Sequence, residues 1–277
     1  MESLLVSTKK YTFTDFRPLY LGPIKVSLSR ESEKNIIRSH KYLFDNLDTD
    51  KLIYGVNTGF GNLSHIQIDS GDIDKLQVNL IRSHASGVGS PLRPGIVRAI
   101  LFLKLLTFAK GYSGVSIDLV KKIIQFLNKD LLPVIPEKGS VGASGDLAPL
   151  GHMALALIGE GEVFFKGNRE KTLTALKKAR VKPLSLKPKE GISLINGTQV
   201  STAIAIKALL DGHRLLISAD IAGAFSVENS FSSHKVFQKK IHDLKQHPGQ
   251  KISARNIYKL LSKSEIVRSH SNCGKVQ

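Results

Sequence analysis

Residues 139–150 read Gly-Ser-Val-Gly-Ala-Ser-Gly-Asp-Leu-Ala-Pro-Leu, a run that makes the backbone turn sharply and then enter a helix. Gly139, Gly142 and Gly145 reach dihedrals closed to other residues. Asp146 can cap the helix that follows, and Pro149 is tolerated in its first turn. The centre, Ala143-Ser144-Gly145, also has chemistry in reach. The Ser144 hydroxyl can leave as water to give a methylene, and the unhindered Gly145 amide nitrogen can attack the Ala143 carbonyl. An isolated Ala-Ser-Gly triplet is usually only a turn or a helix entry, so the rest of the chain has to decide between the two readings.

Most of that chain carries helical periodicity. In 30–47, Ile36, Ile37, His40, Leu43, Phe44 and Leu47 fall on one face, with Glu31 and Glu33 suited to the first turn. Pro94 opens a helix through Ala109 that is apolar on most sides and so predicted to be buried, with Gly111 ending it. Ser116 can cap 117–128, and Asp146 a helix to Ile158 closed by Gly159. The run 198–228, rich in alanine, serine and threonine, suits a long helix packed closely among others. Only Glu162–Arg169, with Gly167-Asn168 at its tip, reads as a hairpin. The expected fold class is therefore mainly α.

Composition narrows the function classes. A chain of 277 residues with 42% hydrophobic and 23% charged residues can bury a sizeable core. Its net charge of +17 is spread along the chain as short lysine pairs without interleaved aromatics, which argues for a solvated surface rather than nucleic-acid binding. The single cysteine, Cys273, excludes an internal disulfide and fits a cytoplasmic location. No secretory signal pattern opens the chain, and Lys207, Asp211, His213, Arg214 and Asp220 interrupt its most apolar stretch, so no membrane span is expected. There is no His-Glu-x-x-His, no paired cysteine, no Walker loop and no complete dinucleotide fingerprint, so neither a metal nor an external cofactor is expected.

Three further segments bear on a site. Tyr54 opens Tyr-Gly-Val-Asn-Thr-Gly-Phe-Gly, which is either a glycine-rich surface turn or a lid carrying a phenol that can serve as general base. His84 ends Asn-Leu-Ile-Arg-Ser-His ahead of a glycine-rich turn, where a histidine is more often structural. Asn196, in Leu-Ile-Asn-Gly-Thr-Gln, can act as N-cap of the long helix and at the same time border a site at that helix terminus.

With these segments in place, the run 139–150 closely resembles the signature of the aromatic amino acid lyases, the family of the histidine and phenylalanine ammonia-lyases. The resemblance extends from about residue 12 to the end of the chain. It implies an ammonia-lyase/fumarase-like helical fold and cyclisation of Ala143-Ser144-Gly145 to a methylidene-imidazolone electrophile. Tyr54 would then take the β-proton of the substrate, Asn196 would contact electrophile and substrate, and His84 would lie in the substrate pocket. The Ser83-His84 pair is similar to that of the histidine-specific members, which implies L-histidine as substrate and urocanate and ammonia as products. Tyrosine- or phenylalanine-specific lyases and aminomutases of the family stay open, as does a catalytically dead binding or assembly module.

The ending, Ser-Asn-Cys-Gly-Lys-Val-Gln277, resembles the lead-in to a family motif that continues Asp-Pro-Tyr-Ser-Leu-Arg. The resemblance puts Gln277 beside His84 in substrate binding. It further implies that a carboxylate-binding arginine, a catalytic glutamate and most of the central bundle lie beyond residue 277. The expected organisation is an electrophile-bearing domain over 1–195 and the truncated start of a helical bundle over 196–277. The family's homotetramer would then be incomplete, the long helix would expose an apolar face, and the chain alone would be impaired.

Overall fold

The computed structural model describes residues 2–47, 52–59, 61–66 and 68–269, and it is mainly helical. Its contacts divide the chain into two compact units, Met1–Lys207 and Ala208–Gln277, a division that falls within one long helix.

In the first unit the chain runs β1 (Ser3–Val6), α1 (Arg17–Leu21), β2 (Lys25–Leu28), α2 (Arg30–Asp45), α3 (Ile73–His84), β3 (Val88–Pro91), α4 (Pro94–Ala109) and α5 (Ile117–Asn128). It continues through β4 (Leu132–Pro133), β5 (Pro136–Lys138), α6 (Leu147–Leu157), β6 (Glu162–Phe165), β7 (Asn168–Lys171), α7 (Thr172–Ala179) and α8 (Glu190–Ile195) to the start of α9 (Gln199–Asn229). The core forms around α4, whose Val97, Ile100, Leu101, Phe102, Leu105 and Phe108 are all buried. Each such side chain contributes about 1.5–3 kcal/mol of transfer free energy. Phe16 meets Phe102 edge to face at 5.8 Å. The Arg98 guanidinium, one of two basic groups on this apolar helix, pairs with both oxygens of Asp130, at 2.7 and 3.1 Å.

Serine side chains cap two helices, of which the cap at Ser116 was expected from the sequence. Ser29 Oγ accepts the Ser32 amide at 3.1 Å and opens α2, and Ser116 Oγ accepts the Leu119 amide at 3.2 Å and opens α5. Of the apolar face predicted on α2, only Ile36 and Leu43 are fully buried, while Ile37 and Phe44 are exposed. The predicted hairpin is present, with Phe165 facing Asn168. Its tip is Lys166-Gly167, both at positive φ, rather than Gly167-Asn168, because a two-residue hairpin turn needs left-handed dihedrals at its central pair. The hairpin belongs to a three-stranded sheet of order β4-β6-β7, and β1 with β2 and β3 with β5 form two further pairs. These strands are too short for an alternating pattern to show in the sequence.

The second unit holds the rest of α9 with α10 (Lys239–His242), α11 (Pro248–Leu261) and α12 (Glu265–Ser269). Ala224, Leu261 and Val267 are buried there against Val227, Phe237 and Ile257. The Asn256 amide donates to Asp220 at 2.8 Å, and Ser264 hydrogen-bonds Glu228. Leu215, Leu216, Ile221 and Phe225 of α9 are exposed. Among the described residues, no helix is long and apolar enough to cross a membrane.

Candidate active site

The Ala143-Ser144-Gly145 segment is delivered by β5 and taken up by α6. Ala143 and Ser144 are exposed, whereas Gly145 is buried. Gly145 forms an isolated parallel bridge with Gly197, and the Asp146 amide donates to the Gly197 carbonyl at 2.7 Å. The Asn196-Gly197 turn therefore backs the 143–145 triplet directly, although some fifty residues separate them. Gly145 adopts a φ of +114°, a conformation open chiefly to glycine.

Asp146 occupies the N-cap position of α6 but does not bond that helix with its side chain. Its buried carboxylate instead accepts from Ser140 Oγ at 2.7 Å, the Ser201 amide at 2.8 Å and Ser201 Oγ at 2.5 Å. The Ser201 amide lies in the first turn of α9, where backbone donors lack intrahelical partners. One carboxylate thus caps the long helix and fixes the loop ahead of the triplet.

Asn196 is not the N-cap of α9, which begins at Gln199; it is the C-cap of α8, with its amide bonded to Ile192 O at 3.0 Å. Gly197 and Thr198 intervene, and the turn they make brings the chain back to Gly145. The Asn196 side chain belongs to an exposed residue, while its carbonyl faces inward and accepts from Lys104 Nζ at 3.0 Å. Lys104 also donates to Ser193 O at 3.0 Å. Its side chain is fully buried, and burial lowers its pKa to about 7, with the Asp146 charge partly opposing the shift. The Nζ also lies 5.5 Å from the centre of the Phe108 ring.

The other end of α8 is tied to the Tyr54 loop. Gln77, fully buried on α3, accepts the Gly191 amide at 2.9 Å and donates to Gly55 O at 3.3 Å. Glu190 accepts the Ser116 amide at 2.9 Å and the Lys187 amide at 2.8 Å. The loop behind Tyr54 is buried through Gly55, Val56, Asn57 and Thr58, while Tyr54 itself is 57% exposed.

His84 is half-buried at the last position of α3. Its Nδ1 donates to Leu80 O at 2.8 Å, because a carbonyl can only accept; in the neutral ring this leaves Nε2 as an acceptor. The chain after His84 lies close to the triplet by two routes. Val88 of β3 pairs with Lys138 of β5, immediately before the glycine-rich run. The Gly87 amide donates to His152 Nε2 of α6 at 3.0 Å, and burial lowers the pKa of that imidazole. Gly151 lets α6 pass the end of α3, since a Cβ there would stand 3.0 Å from the Ala85 nitrogen.

Asn196 and the 143–145 triplet are thus brought together, His84 is linked to them through β3, β5 and α6, and Tyr54 through Gln77 and α8. Gln277 lies outside the described residues. Lys104, Gln77 and His152 were not singled out from the sequence. Lys104 had a readable signal, a lysine amid the apolar run Ile100–Phe108 that has to find acceptors if the helix is buried. Gln77 and His152 had none, because their partners are distant backbone groups.

The chain matches the family described as aromatic amino acid lyase over residues 11–277. The histidine ammonia-lyase of Myxococcus xanthus is 47% identical over 242 residues, which cover 87% of this chain and 48% of that protein. Tyrosine aminomutase from Streptomyces globisporus superposes with a TM-score of 0.90 at 32% identity, over 99% of this chain and 54% of the other. Histidine ammonia-lyase from Trypanosoma cruzi does so with a TM-score of 0.87 at 31% identity, over 97% and 53%. The chain spans about half the length of the curated relatives it matches.

Proposed function

The chain belongs to the aromatic amino acid lyase family, and on that premise we propose that it carries the electrophile-forming part of an ammonia-lyase converting L-histidine to trans-urocanate and ammonia. The observation that carries the reading is the bridge between Gly145 and Gly197, which seats the cyclisable triplet against the Asn196 turn. The histidine preference is supported by the 47% identity to the histidine ammonia-lyase of Myxococcus xanthus.

The triplet fits the methylidene-imidazolone. Ser144 is exposed where a substrate amine can approach, and Gly145 holds a conformation that a side chain would disfavour. Once formed, that group would supply an electrophilic carbon at the former Ser144 Cβ, which would make the amine of the substrate a better leaving group. Tyr54 is the general base that removes the β-proton of the substrate. His84, with Nδ1 committed to Leu80, offers Nε2 to the imidazole N–H of the substrate. Asn196 orients substrate and electrophile. Loss of the β-proton and departure of the amine with its bonding electrons leave the double bond of urocanate, so the reaction needs no redox partner. We further propose that the full-length protein is a cytoplasmic homotetramer. The exposed Leu215, Leu216, Ile221 and Phe225 of α9 support burial in an assembly.

Two readouts test this proposal. Mass spectrometry of the peptide spanning 139–150 is expected to show the loss of two waters, abolished by Ser144→Ala. An intact peptide in the folded chain would contradict the electrophile and favour a binding or assembly module. Urocanate absorbance on incubation with L-histidine reads activity. Because the chain spans about half of its relatives, turnover by the chain alone is expected to be weak. Faster turnover of L-tyrosine than of L-histidine would favour the aminomutase-like reading.

A further inference from the structure

The charged amine of a lysine is costly to bury, and Lys104 is buried completely within a helix that is otherwise almost wholly apolar. Its two hydrogen bonds account for where it points. Both acceptors, Ser193 O and Asn196 O, lie where α8 ends, among the carbonyls that a helix terminus leaves without intrahelical donors. The next residue, Gly197, bridges Gly145 and accepts the Asp146 amide. A continuous path therefore runs from the Lys104 amine through the Asn196 carbonyl and Gly197 to the backbone of the triplet. Neutral or charged, the amine has enough N–H groups for both carbonyls.

We propose that Lys104 is a positioning residue for electrophile formation: by holding the Ser193–Asn196 carbonyls it fixes Gly197 behind Gly145. The inference rests on the electrophile reading above and adds to it a residue that touches neither substrate nor the reacting atoms. In the step it serves, the Gly145 nitrogen bonds the Ala143 carbonyl carbon. The Ala143 oxygen departs as water with the protons of the Gly145 and Ser144 amides. Ser144 then loses its hydroxyl and α-hydrogen as a second water, which leaves the methylidene. No oxidant or added reactant is required. The step is sensitive to placement because the attacking nitrogen belongs to the residue that Gly197 backs, and misplacement of reacting groups is costly in rate.

The test compares the 277-residue chain with Lys104→Met, which keeps the length of the side chain and removes its donors, and with Lys104→Arg, which keeps donors. Two quantities are read, the rate at which the 139–150 peptide loses two waters after refolding and hydrogen exchange at the Asp146 amide. Lys104→Met is expected to slow dehydration and speed Asp146 exchange by about tenfold or more, with exchange in α5 unchanged. Lys104→Arg is expected to recover part of both. Dehydration and exchange at the wild-type rate in a folded Lys104→Met would overturn the proposal, as would equal acceleration of exchange in α5, the mark of general destabilisation. Should Lys104→Met fail to fold, Lys104→Leu, which also lacks donors, gives the same comparison. A wild-type chain that folds but never dehydrates would count against the electrophile reading alone, and the positioning role then stands or falls on the Asp146 exchange.

Discussion

Gly145 stands so close to Gly197 that a Cβ built on it would lie 2.5 Å from the Gly197 carbonyl oxygen and 2.7 Å from its nitrogen. These contacts are with backbone, which cannot rotate aside as a flexible side chain can. The φ of +114° at Gly145 adds conformational strain for any other residue. Gly145→Ala is therefore expected to destabilise the fold by more than about 2 kcal/mol and to separate the triplet from the Asn196 turn. Urea denaturation measures the first effect, and a midpoint equal to wild type would contradict it.

Asp146 bonds Ser140 Oγ and both the amide and the hydroxyl of Ser201, so its removal unties the triplet loop and the first turn of α9 together. Asp146→Ala is expected to cost about 3 kcal/mol, since bonds to a charged acceptor are among the stronger ones and three of them are lost together. Asp146→Asn keeps the shape and some acceptor capacity and should cost less. Equal losses for the two variants would show that the carboxylate charge plays no part.

Burial lowers the Lys104 pKa from 10.5 to about 7, which makes a prediction about pH with a definite sign. Between those values the unfolded chain holds a proton that the folded chain has released, so stability rises with pH across this window. Below about pH 7 both states are protonated and the slope from this group vanishes. The stability of wild type relative to Lys104→Met should therefore climb from neutral to alkaline pH, as read by denaturation in a pH series. A difference that stays flat would place the amine in a more hydrated setting than the structure shows.

His152 must be unprotonated at Nε2 to accept the Gly87 amide, and burial holds its pKa below 6.5. As the pH falls below 6.5 the unfolded chain takes up the proton first, and stability contributed by this group is lost. Nuclear magnetic resonance is expected to show His152 titrating below 6.5, with the Gly87 amide shift following the same curve. A Gly87 amide that ignores the titration would remove the link between α6 and the chain after His84.

The long helices and the cap of α5 were legible in the sequence because they rest on local spacing. Ser116 lies three residues before the amide it accepts, and the apolar positions of α5 recur with the helical period. The strands β1, β2, β3 and β5 were not legible, since each pairs with a partner far along the chain and is too short to alternate visibly. Asn196 shows the same division. An asparagine ahead of a long helix reads as its N-cap, yet two further residues follow before α9 begins, and the Asp146 carboxylate does the capping from elsewhere.

By itself the sequence determined that Ala143, Ser144 and Gly145 set a carbonyl, a hydroxyl and an unhindered amide nitrogen side by side, the groups the proposed electrophile needs, among glycines that let the backbone fold there. What holds the triplet in place was decided only by tertiary structure. Gly197 supports it from behind, Lys104 holds the turn that carries Gly197, and Asp146 ties its loop to α9. The physical reason is that buried amines, amides and carboxylates must satisfy their hydrogen bonds wherever partners are found, and here the partners lie at sequence separations where no periodic pattern records them.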